Sequence, residues 1–594
     1  MKKALLSLLL ILTLAAASLP ASLAESAAFD TSDYFSKRDL KGAWDEEEAQ
    51  EIALSGSLSI TQAGTYVLSG VLQDGTVTVN VGSDDKVQLV LNGVSVTSSS
   101  SAALLVENAD KVFVTLAEGT ENLLASTAFD ENSDVDGAVF ARDDIVFNGA
   151  GSLTVSSANH GIVGKDDVKF TGGEYAITAG GKGIKANDSV RIAAGSFAIV
   201  SQRDAIQAKN DEDTEKGYVL IAGGSLNLTV GGGAGNGAVH TGDRSFGRSW
   251  NNTAISDTSA DSAKGVKASG GIILTGDASL AIDSADDALH SDTDITVYGG
   301  AFTISTGDDA LHADSALTIH GGTFRITQSY EGLEASVITI NGGDIALVSS
   351  DDGVNSSGGR DSSGWGRNDM FSSDGSSIVI NGGKLYINAS GDGIDSNGDL
   401  TVNGGEIIVS GPTNSGNGAL DYNGAGAVNG GTVIAAGASG MAETFGASSS
   451  QVSFLVKLNG AAGSTVTVTD ANGAVLLSGT VEKAFQCVVV SSPDLKVGET
   501  YTVSAGSAST SVTVSSVSSA SGGMNGFGGR GGGMGGGRGG WGGWSGQNEQ
   551  NTPDPQNIPD GQTGATPPSG QTPPDGGQPG NNNGFPGHQG GPRR

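Results

Sequence analysis

The sequence predicts an all-β chain wound as a right-handed parallel β-helix with three strands per coil, a small C-terminal β-sandwich and a disordered Gly/Pro-rich tail. Three observations carry this. The first is a period of about 22 residues between residues 136 and 436, plain in the copies that begin Asp287-Ala-Leu-His and Asp309-Ala-Leu-His. A Gly-Gly pair returns at 299–300, 321–322, 342–343, 382–383, 404–405 and 430–431, mostly in steps of 21 or 22. A fixed period of this length is the mark of a solenoid. The second is that each copy holds three short alternating runs, such as Leu289/Ser291, Ile295/Val297 and Phe302/Ile304. Alternation of period two puts both members of a pair on one face of a strand, toward a shared core. The third is that no helical periodicity competes with this pattern.

The elements follow in order. Residues 1–24 form a secretion signal: Lys2-Lys3, an apolar run from Ala4 to about Ala17, then Ser22-Leu-Ala24 as the cleavage site. The apolar run is short for a membrane span, and no later stretch is apolar enough to cross a bilayer. Residues 25–50 are a polar leader ending in Asp45-Glu-Glu-Glu48, and 51–135 are strand-rich without the clean period, as an N-terminal cap and early coils would be. The regular body runs over 136–451, with long insertions near 230–262 and 356–376. Residues 452–515 lose the Gly-Gly period and read as strands joined by Gly/Asn turns, a small antiparallel sandwich. Gly and Pro dominate 516–594, the tail. The lone Cys487 excludes an intramolecular disulfide, so stability rests on the stacked core or on bound ions.

Acidic residues outnumber basic ones 65 to 31, a formal net charge of −34. That surface repels nucleic acid and anionic membranes, and the position of the acids says more. Just before the first strand of each coil the sequence reads Asp136, His160, Lys182, Asp204, Lys264, Asp287, Asp309, Glu331, Asp352, Asp392. Three residues on, facing outward, it reads Lys185, Gln207, Lys267, His290, His312, Glu334, Asn355, Asp395, Asp421. Stacked coils bring equivalent residues to about 4.8 Å. In the first half acids and lysines alternate. From Asp287 onward carboxylate follows carboxylate, with Asp286, Asp308 and Asp351 adjacent. Two like charges about 5 Å apart repel by about 1 kcal/mol in water and about 3 at an effective dielectric of 20. Protonation or bound cations must relieve this. A hard ion with flexible oxygen ligands, Ca²⁺, fits best, and the shortage of histidine and cysteine argues against zinc. The metal candidates are therefore Asp286, Asp287, Asp308, Asp309, Glu331, Glu334, Asp351, Asp352, Asp392, Asp395 and Asp421. The competing reading makes each Asp a turn residue that caps its own bend. His290 and His312 are read as surface residues.

Several segments then resemble a family of secreted bacterial carbohydrate-binding parallel β-helix proteins. They are Phe35-Ser-Lys-Arg-Asp-Leu-Lys-Gly42, Asp85-Lys-Val-Gln-Leu-Val-Leu-Asn-Gly-Val-Ser-Val96, Ala109-Asp-Lys-Val-Phe-Val-Thr-Leu116, Asp352-Gly-Val-Asn-Ser356, Gly391-Asp-Gly-Ile-Asp-Ser396 and Ser491-Ser-Pro-Asp-Leu-Lys-Val-Gly-Glu-Thr500. The resemblance covers roughly residues 34–515. It implies a fold like that of calcium-dependent polysaccharide lyases, particularly family 9. It also implies binding of cellulose or polygalacturonate-like glycans, with calcium in the helix and without cleavage. The implied calcium role falls on the Asp-[Gly/Ala]-aliphatic-x-small positions. Trp250, Trp365 and Arg360 in the insertions, with Lys264 and Lys267, are the candidates for touching sugar. Three functions are weighed: a calcium-containing polysaccharide binder that does not cleave, a polysaccharide lyase with Lys264 or Lys267 as base, and a cell-surface or biofilm scaffold. The expected setting is secreted, extracellular or loosely surface-associated, as a monomer.

Overall fold

A computed structural model describes residues 29–238, 262–357 and 373–520. The expected secretion signal, the expected tail from residue 521 and most of both insertions lie outside the described residues. Within them the chain is an all-β parallel solenoid, and the one helical turn is the 3-10 segment Ala234–Asn236. Three ladders carry the winding. Leu289–Ser291 pairs in parallel with Leu311–Ile319, placing Leu289 against Leu311 and His290 against His312. Asp294–Val297 pairs with the later part of the same strand, Ile295 against Leu317. Ala301–Thr306 pairs with Thr323–Gln328, Phe302 against Phe324. Because identical positions meet, apolar residues stack in files: the Phe302 and Phe324 rings lie 4.5 Å apart and nearly parallel, as do Phe147 and Phe170 at 4.9 Å. Each buried Leu, Ile or Phe contributes about 1.5–3 kcal/mol of transfer free energy, and the file repeats coil after coil.

The Gly-Gly period has a double cause. The second glycine of each pair turns the corner with positive φ, +118° at Gly300 and +95° at Gly405, a region that side chains rarely enter. The first lies under the preceding coil: a Cβ on Gly404 would sit 2.5 Å from the Asn381 carbonyl oxygen. A larger residue at either place would separate the coils.

Parallel pairing begins at Gln50–Ala53 against Gly64–Leu72, so winding starts where the leader ends. The leader itself is packed along the outside of the coils. Arg38 lies 4.3 Å over the Phe113 ring, and buried Asp39 reaches Lys111 at 3.6 Å. The Thr171 hydroxyl donates to the Asp39 carbonyl at 2.7 Å, and Phe29 meets Tyr298 at 5.1 Å. At the other end, Phe485–Ser491 pairs antiparallel with both Thr432–Gly437 of the last coil and Ser453–Gly460. A second, four-stranded antiparallel sheet holds Ser464–Thr469, Val475–Val481, Thr500–Ala505 and Ala508–Thr513. Its own apolar cluster includes Ile434, Phe454, Val466, Val490 and Tyr501. One layer of this C-terminal unit therefore continues the solenoid's sheet and closes its open end.

Candidate metal centre

The first ladder is built from three-residue strands such as Ile184–Ala186, Val266–Ala268, Val354–Ser356 and Ile394–Ser396. Their outer two residues point into the core, so the middle residue of each faces out. The register joins these middle residues in one file: Lys185, Gln207, Lys267, His290, His312, Glu334, Asn355, Asp395, Asp421. The second predicted column is thus a continuous structural feature. The first column runs beside it from His160. Asp136 is one residue out of register, since Gly137 is the partner of His160; its carboxylate still reaches His160 at 3.5 Å and Lys185 at 3.6 Å.

Between Lys182 and Asp287 the groove neutralises itself. Lys182 meets Asp204 at 3.1 Å, and Gln207 donates to the same carboxylate at 3.1 Å. Lys264 is 5% exposed and holds Asp286 and Asp287 at 2.8 Å each. Burial works against its charge, yet the two carboxylates outweigh burial and keep the ammonium protonated far above its ordinary range. Asp287 is correspondingly held down: burial opposes ionisation, and Lys264 with His290 overcomes it.

His290 and His312 correct the sequence reading, for they are not surface residues: each is 7% exposed. The strand alternation pointed them outward, but the groove walls close over that direction. His290 Nδ1 meets Asp287 at 2.8 Å, while His312 Nδ1 meets Asp309 at 3.2 Å and Glu334 at 2.9 Å. Asp309 is pushed well up by burial, then by Asp308 and Glu334. Glu334 is held down, against burial, by its bond to His312.

Beyond Glu334 no positively charged side chain among the described residues pairs with the carboxylates. Glu331 is raised by burial, then by Glu334, Asp309 and Asp352. Asp352 is raised well above the carboxylate range by burial and then by Asp395 and Asp392, and Asp395 by burial and then by Asp392 and Asp421. Asp392 is pushed up to about 7, where burial exceeds the downward pull of the Gly418 amide. Burial likewise raises Asp421. Ligand atoms of Asp352, Asp392 and Asp395 lie within 4.8 Å of one another, as do those of Asp286, Asp287 and Asp308.

Two residues were missed. Asn355 donates through Nδ2 to Glu331 at 2.9 Å, but its buried Oδ1 has no partner. Glu443 carries a buried, unpartnered Oε2 and is pushed up to about 8 by burial and then by Asp421. The signal for Glu443 was present, since one further 22-residue step from Asp421 lands on it, but the Gly-Gly pair that marks a coil is missing there.

The turn-capping alternative is partly met, in a different form. The first-column carboxylates of Asp204, Asp287, Asp309, Asp352 and Asp392 accept from the next coil's backbone rather than from their own bend. Asp287 Oδ1 accepts from the Asp309 amide at 3.0 Å, Asp309 Oδ1 from Glu331 at 2.9 Å, and Asp352 Oδ1 from Asp392 at 2.5 Å. One oxygen of each acid ties coil to coil, and the other remains for the groove. An oxygen-only set with an orphaned buried amide oxygen fits a hard, multidentate cation.

Of the sugar-contact candidates, Trp250, Trp365 and Arg360 lie outside the described residues. Lys264 is placed as a counter-ion inside the groove, with its ammonium enclosed by Asp286 and Asp287. A lysine held in its charged form this firmly is a poor general base. Lys267, 7% exposed, lies between Gln207 and His290 and helps to lower the pKa of Asp292.

The chain is similar to known proteins over part of its length. A family model described as carbohydrate-binding domain-containing protein matches residues 55–310. A curated relative from Acetivibrio thermocellus, also described as a carbohydrate-binding domain-containing protein, is 42% identical over 177 residues. That stretch is 29% of this chain and 62% of the relative, so the chain spans less than two thirds of the relative's length. A solved structure described as a polysaccharide lyase-like protein from C. thermocellum, gadolinium derivative, covers 46% of this chain and 96% of its own, at 24% identity and a TM-score of 0.33.

Proposed function

We propose that this protein is a secreted, non-catalytic binder of acidic or cellulosic polysaccharide, built on a right-handed parallel β-helix and carrying Ca²⁺ along one groove. The observation that carries this reading is the run Asp352, Asp392, Asp395, Asp421, Glu443. It is a group of part-buried carboxylates with raised pKa values and no side-chain counter-charge among the described residues. Right-handed winding follows the usual hand of parallel crossovers. Asp352, Asp392, Asp395 and the Asn355 Oδ1 would hold the ion, with Asp421 and Glu443 beyond. When bound, calcium would supply positive charge that can bridge protein carboxylates to the carboxylates of a uronate chain. The remaining work belongs to the chain: the ladder spaces its acids at the strand repeat and matches an extended glycan with an extended face.

The similarity to carbohydrate-binding domain proteins supports the ligand class. The enclosure of Lys264 disfavours the lyase alternative, since it removes one of the two bases considered. The test is retention of purified protein on immobilised polygalacturonate and on cellulose, with Ca²⁺ and with chelator. We expect retention on polygalacturonate that chelator releases, with no growth of ultraviolet absorbance from unsaturated sugar ends. Absorbance growth would establish a lyase instead, and absence of binding to either glycan would favour a scaffold.

A further inference from the structure

The middle of the groove differs chemically from the run beyond it. The His290 and His312 rings lie side by side, centroids 4.8 Å apart and tilted by 38°, each buried and each paired through both nitrogens. Their inner nitrogens face the acids: His290 Nδ1 meets Asp287 at 2.8 Å, and His312 Nδ1 meets Asp309 at 3.2 Å and Glu334 at 2.9 Å. Their outer nitrogens are held by a carboxylate two residues on, Nε2 of His290 by Asp292 at 3.1 Å and Nε2 of His312 by Asp314 at 3.4 Å. Such an outer carboxylate is what orients a metal-bound imidazole: it takes the remaining ring N–H and leaves the other nitrogen's lone pair for the ion. Two consecutive coils carry the same His-x-Asp arrangement, His290-Ser-Asp292 and His312-Ala-Asp314. One ligand atom each of Asp287, His290 and His312 lie within 4.8 Å of one another, and so do one each of Asp309, His312 and Glu334.

We propose that His312, with Asp309 and Glu334, forms a mixed nitrogen–oxygen site for a borderline divalent ion of the zinc class, with His290 beside it in the group it shares with Asp287 and His312, distinct from the oxygen-only run at Asp352, Asp392 and Asp395. Asp287 is the lesser ligand, because Lys264 already holds its Oδ2 at 2.8 Å. Imidazole nitrogen favours zinc, cobalt or nickel over calcium, whereas carboxylate and amide oxygen alone favour calcium. Position along one groove thus selects the ion by donor type. The proposal stands without the polysaccharide reading and without calcium elsewhere in the groove.

The test uses the full mature chain, stripped with chelator, titrated with Zn²⁺ by calorimetry in a large excess of Ca²⁺, and separately loaded with Co²⁺ for its visible spectrum. We expect a tight Zn²⁺ equivalent that Ca²⁺ does not displace and a Co²⁺ spectrum with nitrogen ligation. His312→Gln should lose this binding, and Asp314→Asn, which leaves every inner ligand in place, should weaken it 10–100-fold. Asp395→Asn should leave Zn²⁺ binding intact while weakening Ca²⁺ binding, so failure of the calcium reading and failure of this one give different results. Should His312→Gln unfold the chain, Asp314→Asn and the Co²⁺ spectrum still decide. The proposal is overturned if Ca²⁺ displaces the Zn²⁺, if binding survives both variants, or if no tight binding occurs and the histidines act as imidazolium ion pairs only.

Discussion

The two halves of the charged groove share one backbone geometry and solve one electrostatic problem in opposite ways. From Lys182 to Asp287 lysines stand between the acids, and the groove closes its own charge with pairs at 2.8–3.1 Å. From Asp352 to Asp421 the same register positions carry acids and Asn355 but no lysine, and burial raises the acids, as it does Glu443 beyond them. The lesson is that a solenoid repeats its strands faithfully while leaving each exposed file free to vary, so charge can be graded along the axis without disturbing the fold.

That contrast can be broken at its strongest point. Lys264→Met removes the built-in cation between Asp286 and Asp287, leaving buried acids uncompensated, and should cost about 3–5 kcal/mol. Thermal and denaturant melts measure this, and Ca²⁺ should restore part of the loss by taking the vacated place. A variant as stable as the parent would remove the distinction between the halves.

His160, one coil before the self-neutralised stretch, sharpens it by pH. Burial lowers its pKa from 6.5 to about 4, and its Nδ1 accepts the Lys182 amide at 2.9 Å, so it is neutral when folded. Between pH 6.5 and about 4 the unfolded chain takes up a proton that the folded chain refuses. Acidification through that window therefore drains stability, and above it the effect vanishes. At about 1.4 kcal/mol per unit the window carries at most about 3 kcal/mol. His160→Gln should flatten the slope of melting temperature against pH in this range, and an unchanged slope would assign it elsewhere.

In the acid-only half the expected effect changes sign with the medium. Asp395→Asn should raise the melting temperature in chelator, by removing an acid that must take up a proton to be buried there, and lower it in Ca²⁺, by removing a ligand. Each change should be about 1–2 kcal/mol. The same sign in both media would count against a cation there. Smaller still, Asn355→Leu should cost about 1 kcal/mol or less in chelator, where only the bond to Glu331 is lost, and more in Ca²⁺. Equal losses would show that the orphaned oxygen has no ion to serve.

Much of this was legible from residues alone. The Gly-Gly spacing and the paired aliphatics located the three ladders because a coil must return to the same corner with the same inward faces. The second charged column emerged intact, since an outward residue between two core residues can be counted from sequence. Glu443 escaped because its coil lacks the glycine marker, and Asn355 because an unpartnered oxygen is a fact about neighbours.

Periodicity determined the solenoid and the file of charges, because one-dimensional repetition in the chain becomes one-dimensional repetition in space. Tertiary structure alone decided which of those charges are satisfied. That depended on burial, which covered His290 and His312 and enclosed Lys264, and on the reach of each side chain to the next coil. Ionisation answers to solvent and neighbours together, and neither is written along the chain.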